Sequence, residues 1–276
     1  MEKYGRDYAV KWGERVEVLR EKVLEERPLI HHITNLVVTN ITANVTLAVG
    51  ASPVMAYAPE EVADMVRLSR CLVLNMGTLT AGEVDAMLLA GRAANEAGIP
   101  VVFDPVGAGA TPFRTKTAQM LVRELQIDIL RGNASEIAAL GGLHANTRGV
   151  EAGEITIPAG QLARKVARDL KTVVIVTGAT DYVSDGERLL AVDNGHAMLA
   201  AVTGTGCSAT SVVAAFRAVE DDGVTAGAAA LACYGLAAEH AAAVSRGPAS
   251  FQVALLDALY NLRGEKLSSG VKIREL

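Results

Sequence analysis

Short apolar runs and longer Ala-rich stretches alternate along the chain, and the two have different periods. Residues 71–74, 101–103, 127–130 and 172–176 are β-branched or Leu-rich runs with the length of buried parallel strands. Between them, residues 60–68, 81–97, 115–123, 134–140 and 159–170 repeat apolar positions at helical spacing. Strand, helix, strand in repetition predicts βαβ units and a doubly wound α/β domain with a mostly parallel sheet. Residues 182–184 and 189–192 flank Asp185-Gly186 and predict a hairpin. Residues 208–263 read as almost wholly helical. No Pro/Ser-rich linker, composition break or internal repeat interrupts this order, so one domain is expected over residues 1–276.

Near the start, Val16, Leu19, Val23 and Leu24 form one apolar stripe on a charged segment. The stripe predicts a helix laid on the sheet, with a subunit contact as the alternative.

Composition narrows the class. Of 276 residues, 50% are hydrophobic and 21% charged, enough apolar surface to exclude disorder. The 26 basic and 31 acidic side chains leave a net charge of −5 without any Lys/Arg run. That balance argues against nucleic acid or an anionic membrane as partner. The first 26 residues lack the apolar core of a signal peptide. Residues 224–238, the longest apolar stretch, are mostly Ala and Gly and too short to span a bilayer. Cys71, Cys207 and Cys233 are odd in number, widely spaced and without a CxxC pair, so neither disulfides nor zinc are indicated. A soluble, cytoplasmic protein is expected.

The strand ends carry the chemistry. Leu74 runs into Asn75-Met76-Gly77-Thr78, Phe103 into Asp104-Pro105-Val106-Gly107, Leu130 into Arg131-Gly132-Asn133, and Val176 into Thr177-Gly178. Such residues also serve as turns and helix caps. In a parallel sheet, however, all four ends open on one edge, where doubly wound folds place ligands, and Asp104, Arg131 and Glu136 bring ionisable groups there.

A second signal is Thr203-Gly204-Thr205-Gly206-Cys207, immediately before a helix. Inward-turned amides and the helix N-terminus together make an anion hole from Gly204, Thr205, Gly206 and Cys207. No Lys follows, so this is not a Walker loop, and Gly107-Ala108-Gly109 lacks the third Gly of a dinucleotide fingerprint. At the helix start, Cys207 is expected to have a lowered thiol pKa. Cys71 and Cys233 read as small buried hydrophobes. His31, His32, His144, His196 and His240 show no partner pattern and read as surface or satisfied core groups.

In this order the motifs resemble the ribokinase-like small-molecule kinases, and among them the hydroxyethylthiazole kinase family. The resemblance is carried by Ile33-Thr34-Asn35, residues 37–40 (VVTN), 50–56 (GASPVMA), 104–114 (DPVGAGATPFR), 131–136 (RGNASE) and 203–207 (TGTGC), and it covers residues 28–263. It implies transfer of a phosphoryl group from ATP to the primary hydroxyl of 4-methyl-5-(2-hydroxyethyl)thiazole, in thiamine salvage. By the same resemblance Arg131 and Thr177 bind ATP, and Asn35, Met55 and Gly204 line the thiazole pocket. Asp104 and Glu136 hold Mg²⁺, partly through water, and a homotrimer is implied with sites between subunits. Most ribokinase-like enzymes place an Asp base where this chain has Cys207, as the thiazole kinases do, which makes Cys207 the candidate catalytic residue. Residues 1–27 lie outside the motifs.

The chemistry of phosphoryl transfer suits these residues, since it needs a cation for the phosphates, backbone donors and a group near the hydroxyl. Paired carboxylates suit a hard cation such as Mg²⁺. The alternatives are a related kinase for hydroxymethylpyrimidine or pyridoxal, an ATP-using lyase, or a non-catalytic nucleotide-binding relative. Met55 favours an apolar ring pocket, and the full set of Asp104, Arg131, Glu136 and anion hole favours catalysis.

Overall fold

The computed structural model describes residues 2–143 and 157–276; His144 lies outside them. The first half runs α1 (Glu2–Glu26), β1 (Leu29–Ile33), α2 (Thr39–Ala48), β2 (Ser52–Val54), α3 (Val62–Arg67), β3 (Cys71–Asn75), α4 (Ala81–Ala97), β4 (Val101–Asp104) and α5 (Pro112–Glu124). Then follow β5 (Ile129–Asn133), α6 (Ala134–Leu140), α7 (Ala159–Leu170), β6 (Val173–Thr177), β7 (Asp181–Ser184) and β8 (Leu189–Val192). The chain closes with α8 (Thr205–Arg217), α9 (Gly223–Val244), α10 (Pro248–Asn261), α11 (Glu265–Ser268) and β9 (Ile273–Glu275).

The strands form one sheet in the order β2-β1-β3-β4-β5-β6-β7-β8-β9. Strands β1 to β6 are parallel, and the predicted hairpin β7–β8 continues the sheet antiparallel, with β9 on its edge. Side chains alternate between faces. Ile30, Val73, Val102, Ile129 and Ile175 pack under α1, α2, α8, α9 and α10, while Leu72, Leu74, Phe103, Leu130 and Val174 pack under α3 to α7. Covered on both faces, the central strands need no polar positions, which is why they read as unbroken apolar runs.

Four differences from the sequence reading have physical causes. Strand β1 goes unpredicted because His31 and His32 interrupt its apolar pattern, yet both are fully buried. One nitrogen of each ring has a partner, His31 Nε2 at 2.9 Å from the Ala56 carbonyl and His32 Nε2 at 3.3 Å from Thr46 Oγ1. Both Nδ1 atoms lack one among the described residues, so these are core histidines but not fully satisfied ones there. Burial pushes His32 down to about 3, leaving its ring neutral.

Strand β5 starts two residues later than expected. The Asp128 carboxylate accepts the Val101 amide at 3.0 Å and pairs with Arg217 at 2.9 Å, and the strand runs on past the apolar run through Arg131 to Asn133. On α1, Val16, Leu19 and Val23 are buried as expected but Leu24 only half so. Between them Arg20 is fully buried, donating to the carbonyls of Ala48, Val49 and Leu259 near the C-termini of α2 and α10, where helix dipoles favour a cation. Finally, α9 continues through Glu239 and His240 to 22 residues, and by length and composition alone could cross a membrane. Most of it is buried among α8, α10 and the sheet, so its apolar surface serves the core.

Candidate active site

The carboxyl ends of β3 to β6 converge on Asp104. This last residue of β4 is 1% exposed, and its Oδ2 gathers three donors: Asn75 Nδ2 at 3.0 Å, Thr210 Oγ1 at 2.8 Å and the Arg131 guanidinium at 3.5 Å. Burial pushes the carboxyl up to about 6; Arg131 opposes that rise and the neighbouring Glu136 adds to it. Arg131 reaches the other way too, donating to Thr177 Oγ1 at 3.2 Å. It borders a cavity of about 560 Å³ lined by Thr177, Asp181, Asn194, Thr205 and Tyr234 among others, a volume typical of small-molecule sites.

Helix α8 opens on this cavity. Gly204 is its N-cap in the left-handed conformation, φ 89°, and a Cβ there would come within 2.9 Å of Val38 Cγ1. The helix begins at Thr205, one turn earlier than the sequence suggests. Thr205, Gly206 and Cys207 thus supply first-turn amides with no acceptor inside the helix. Any side chain at Gly206 would stand 3.2 Å from the Arg131 guanidinium, which shows how closely that cation lies on the turn. Tyr234 Oη donates to the Thr205 carbonyl at 2.9 Å and braces it.

Cys207 overturns an expectation. Its thiol is pushed up to about 11, not down, because burial and the Asp104 charge outweigh Asn75, Arg131 and Asn35. Asn35 Nδ2 lies 3.7 Å from Cys207 Sγ and 2.8 Å from Asn75 Oδ1. A chain of amides therefore joins the thiol to the Asp104 carboxylate.

A family model for hydroxyethylthiazole kinases matches residues 20–265. The chain belongs to the hydroxyethylthiazole kinase family. It is 73% identical over 265 residues to a hydroxyethylthiazole kinase of Moorella thermoacetica, covering 96% of this chain and 99% of that one. A relative of the same name from Chloroflexus aurantiacus is 55% identical over 262 residues, 95% of this chain and 97% of that one. The solved hydroxyethylthiazole kinase structure of Pyrococcus horikoshii superposes with a TM-score of 0.87 at 46% identity, covering 95% and 98% of the two chains. An ADP complex of Bacillus subtilis pyridoxal kinase, 17% identical with a TM-score of 0.53 over 77% and 92% of the chains, shares the ribokinase-like fold.

The remaining site residues of this family member divide into two groups. Glu136 joins the cluster, but both its oxygens have partners: Oε1 accepts the Gly107 amide at 2.8 Å and Oε2 the Asn133 amide at 2.9 Å. The latter is half of a capping box that starts α6, so the Asn-x-x-Glu element has a structural use in the helix. Met55 stands apart, half-buried after the edge strand β2, three strand positions or about 14 Å from β4.

Asn75 and Thr210 have no role that the sequence alone reveals. Asn75 is visible at a strand end, but a lone Asn there reads as a turn residue. Thr210 carries no signal, since it meets Asp104 only once α8 packs on β3 and β4. Among the described residues no three His, Cys, Asp or Glu side chains gather as a metal cluster. The two acids nonetheless fit a cation that keeps water or phosphate ligands: Glu136 raises Asp104 electrostatically, and Asp104 Oδ1 accepts no hydrogen bond from the described residues.

Proposed function

We propose that this chain transfers the γ-phosphoryl group of ATP to the primary hydroxyl of 4-methyl-5-(2-hydroxyethyl)thiazole, in cytoplasmic thiamine salvage. The observation that carries the reading is Arg131, whose one guanidinium borders the nucleotide-sized cavity, lies on the first turn of α8 and pairs with Asp104. Arg131 and Thr177 bind the ATP phosphates, and the amides of Thr205, Gly206 and Cys207 receive the transferring group. Asn35 and Gly204 line the thiazole side. Met55, after the edge strand β2 that pairs with β1, contributes to the same thiazole pocket, which is shared between subunits of a homotrimer.

Asp104 and Glu136 hold Mg²⁺, which when bound neutralises charge on the phosphate oxygens. Both Glu136 oxygens accept an amide and each keeps a further lone pair, with which the carboxylate would hold the cation directly or through water. Glu136→Gln is expected to lower turnover about 10- to 100-fold and to raise the Mg²⁺ concentration needed for half-maximal rate. An unchanged Mg²⁺ dependence removes Glu136 from the metal site.

ADP release measured against a panel of the thiazole alcohol, hydroxymethylpyrimidine and pyridoxal tests the reading. Fastest turnover with the thiazole alcohol is expected. Preference for another alcohol reassigns the substrate, and nucleotide binding without ADP release from any of them overturns the kinase.

A further inference from the structure

We infer that Arg114 is a positioning residue for phosphoryl transfer, clamping the turn after β3 to the turn after β4 so that Asn75 and Gly107 hold the two site carboxylates in one arrangement. The inference rests on the kinase reading above. Arg114 is half-buried and enters no ion pair among the described residues. Its guanidinium instead donates to three carbonyls: Nη1 to Met76 at 2.7 Å and Val106 at 2.8 Å, and Nη2 to Gly77. Two of these belong to the turn after β3 and one to the turn after β4.

Each turn leads directly to the site. On the first, the Gly77 amide donates to Asn75 Oδ1 at 3.1 Å, and Asn75 donates onward to Asp104. A Cβ at Gly77 would fall 2.3 Å from Asn35 Nδ2, so this turn also seats the asparagine beside Cys207. On the second, the Gly107 amide donates to Glu136 Oε1, and Gly107, at φ 77°, lies against the Arg114 side chain with space for a Cβ only 3.0 Å from Cδ. Asp104 thus depends on the first turn and Glu136 on the second.

The placement is not explained by the helix Arg114 belongs to. It sits in the first turn of α5, after the Thr111 cap and Pro112, where the dipole disfavours a cation. Nor does it line the nucleotide cavity. A planar fork with several donors is what bridging three carbonyls from two turns requires, and a Lys ammonium cannot span them equally.

The test compares Arg114→Lys and Arg114→Gln with the parent for kcat, KM for ATP and Mg²⁺ dependence. Hydrogen exchange of the Gly77 and Gly107 amides is followed in nucleotide- and metal-free protein. The expected result is a kcat lowered about 10- to 100-fold in the Gln variant and less in the Lys variant, with KM for ATP unchanged. The two amides exchange faster while the rest of the sheet keeps its protection. A Gln variant with parental kcat per folded molecule and only a lower melting temperature overturns the inference, as does unchanged exchange at both glycines. If the parent itself releases no ADP from any alcohol, the kinase reading fails, and exchange at Gly77 and Gly107 alone decides whether the clamp exists.

Discussion

Asp104→Asn is expected to lower turnover by at least about 10²-fold and, at the same time, to make the folded protein more stable at neutral pH. In the proposed reaction the activity loss follows from removing a charge that would hold Mg²⁺ and that pairs with Arg131. The stability gain follows from burial. In the fold the Asp104 carboxyl is pushed from 3.8 up to about 6, so between those values the native state holds a proton that the unfolded chain has released. Stability therefore falls as pH rises through that window, by an amount of order 3 kcal/mol for a shift of this size. Asn cannot ionise and does not take that loss.

Loss of the Arg131 partner makes this figure an upper bound. Urea melts at about pH 4 and about pH 7.5 measure the effect: the variant should match or trail the parent in acid and exceed it at the higher pH. An Asn variant less stable than the parent at both values would mean that Asp104 stabilises the fold as an anion. With Asp104 as the proposed Mg²⁺ ligand the cation would compete with the proton there, and the Mg²⁺ requirement of the parent should rise below about pH 6.

The βαβ order was legible because strands covered on both faces carry only apolar residues, as in β3 (CLVLN) and β6 (VVIVT). Where burial and polarity disagree, legibility ends. Strand β1 buries two histidines, and β9 is a three-residue edge strand that exposes Arg274 and Glu275. In the site, Asp104, Arg131, Glu136, Thr177 and the glycines before α8 were visible because each follows or ends a recognisable strand or opens a helix. Their second role was not. Asn133 and Glu136 form the capping box of α6, and Glu136 is also the proposed metal ligand, so one residue type at one spacing fits both uses. Arg114 and Thr210 acquire meaning only from packing, since their partners lie 8 to 106 positions away along the chain. The direction of the Cys207 shift is illegible for a related reason. A helix N-terminus is readable in sequence, whereas the neighbouring buried carboxylate and the exclusion of water are not.

Cys207→Ala is expected to lower kcat about 10²-fold, the lower end of what a general base supplies, with the protein still folded. The loss falls at the low end because a thiol pushed up to about 11 is ionised in roughly one molecule in 10⁴ at pH 7, and phosphoryl transfer through a loose transition state asks little of a base. The parent's kcat should then climb with pH toward the alkaline side as the thiolate fraction grows. Cys207→Asp changes this balance. A carboxylate starts from a far lower pKa than a thiol, so it ionises at lower pH at the same place, and Asn35, Asn75 and Arg131, the groups that already pull the thiol toward ionisation, are placed to hold it against burial and the repulsion of Asp104. The Asp variant should keep or exceed parental activity at about pH 7 and show a flatter profile above it. If the Ala variant matches the parent from about pH 6 to 9, Cys207 is a packing residue of the anion hole. If Asp proves as damaging as Ala, the position does not accept the hydroxyl proton, and the amides of α8 with Arg131 carry the transfer without it.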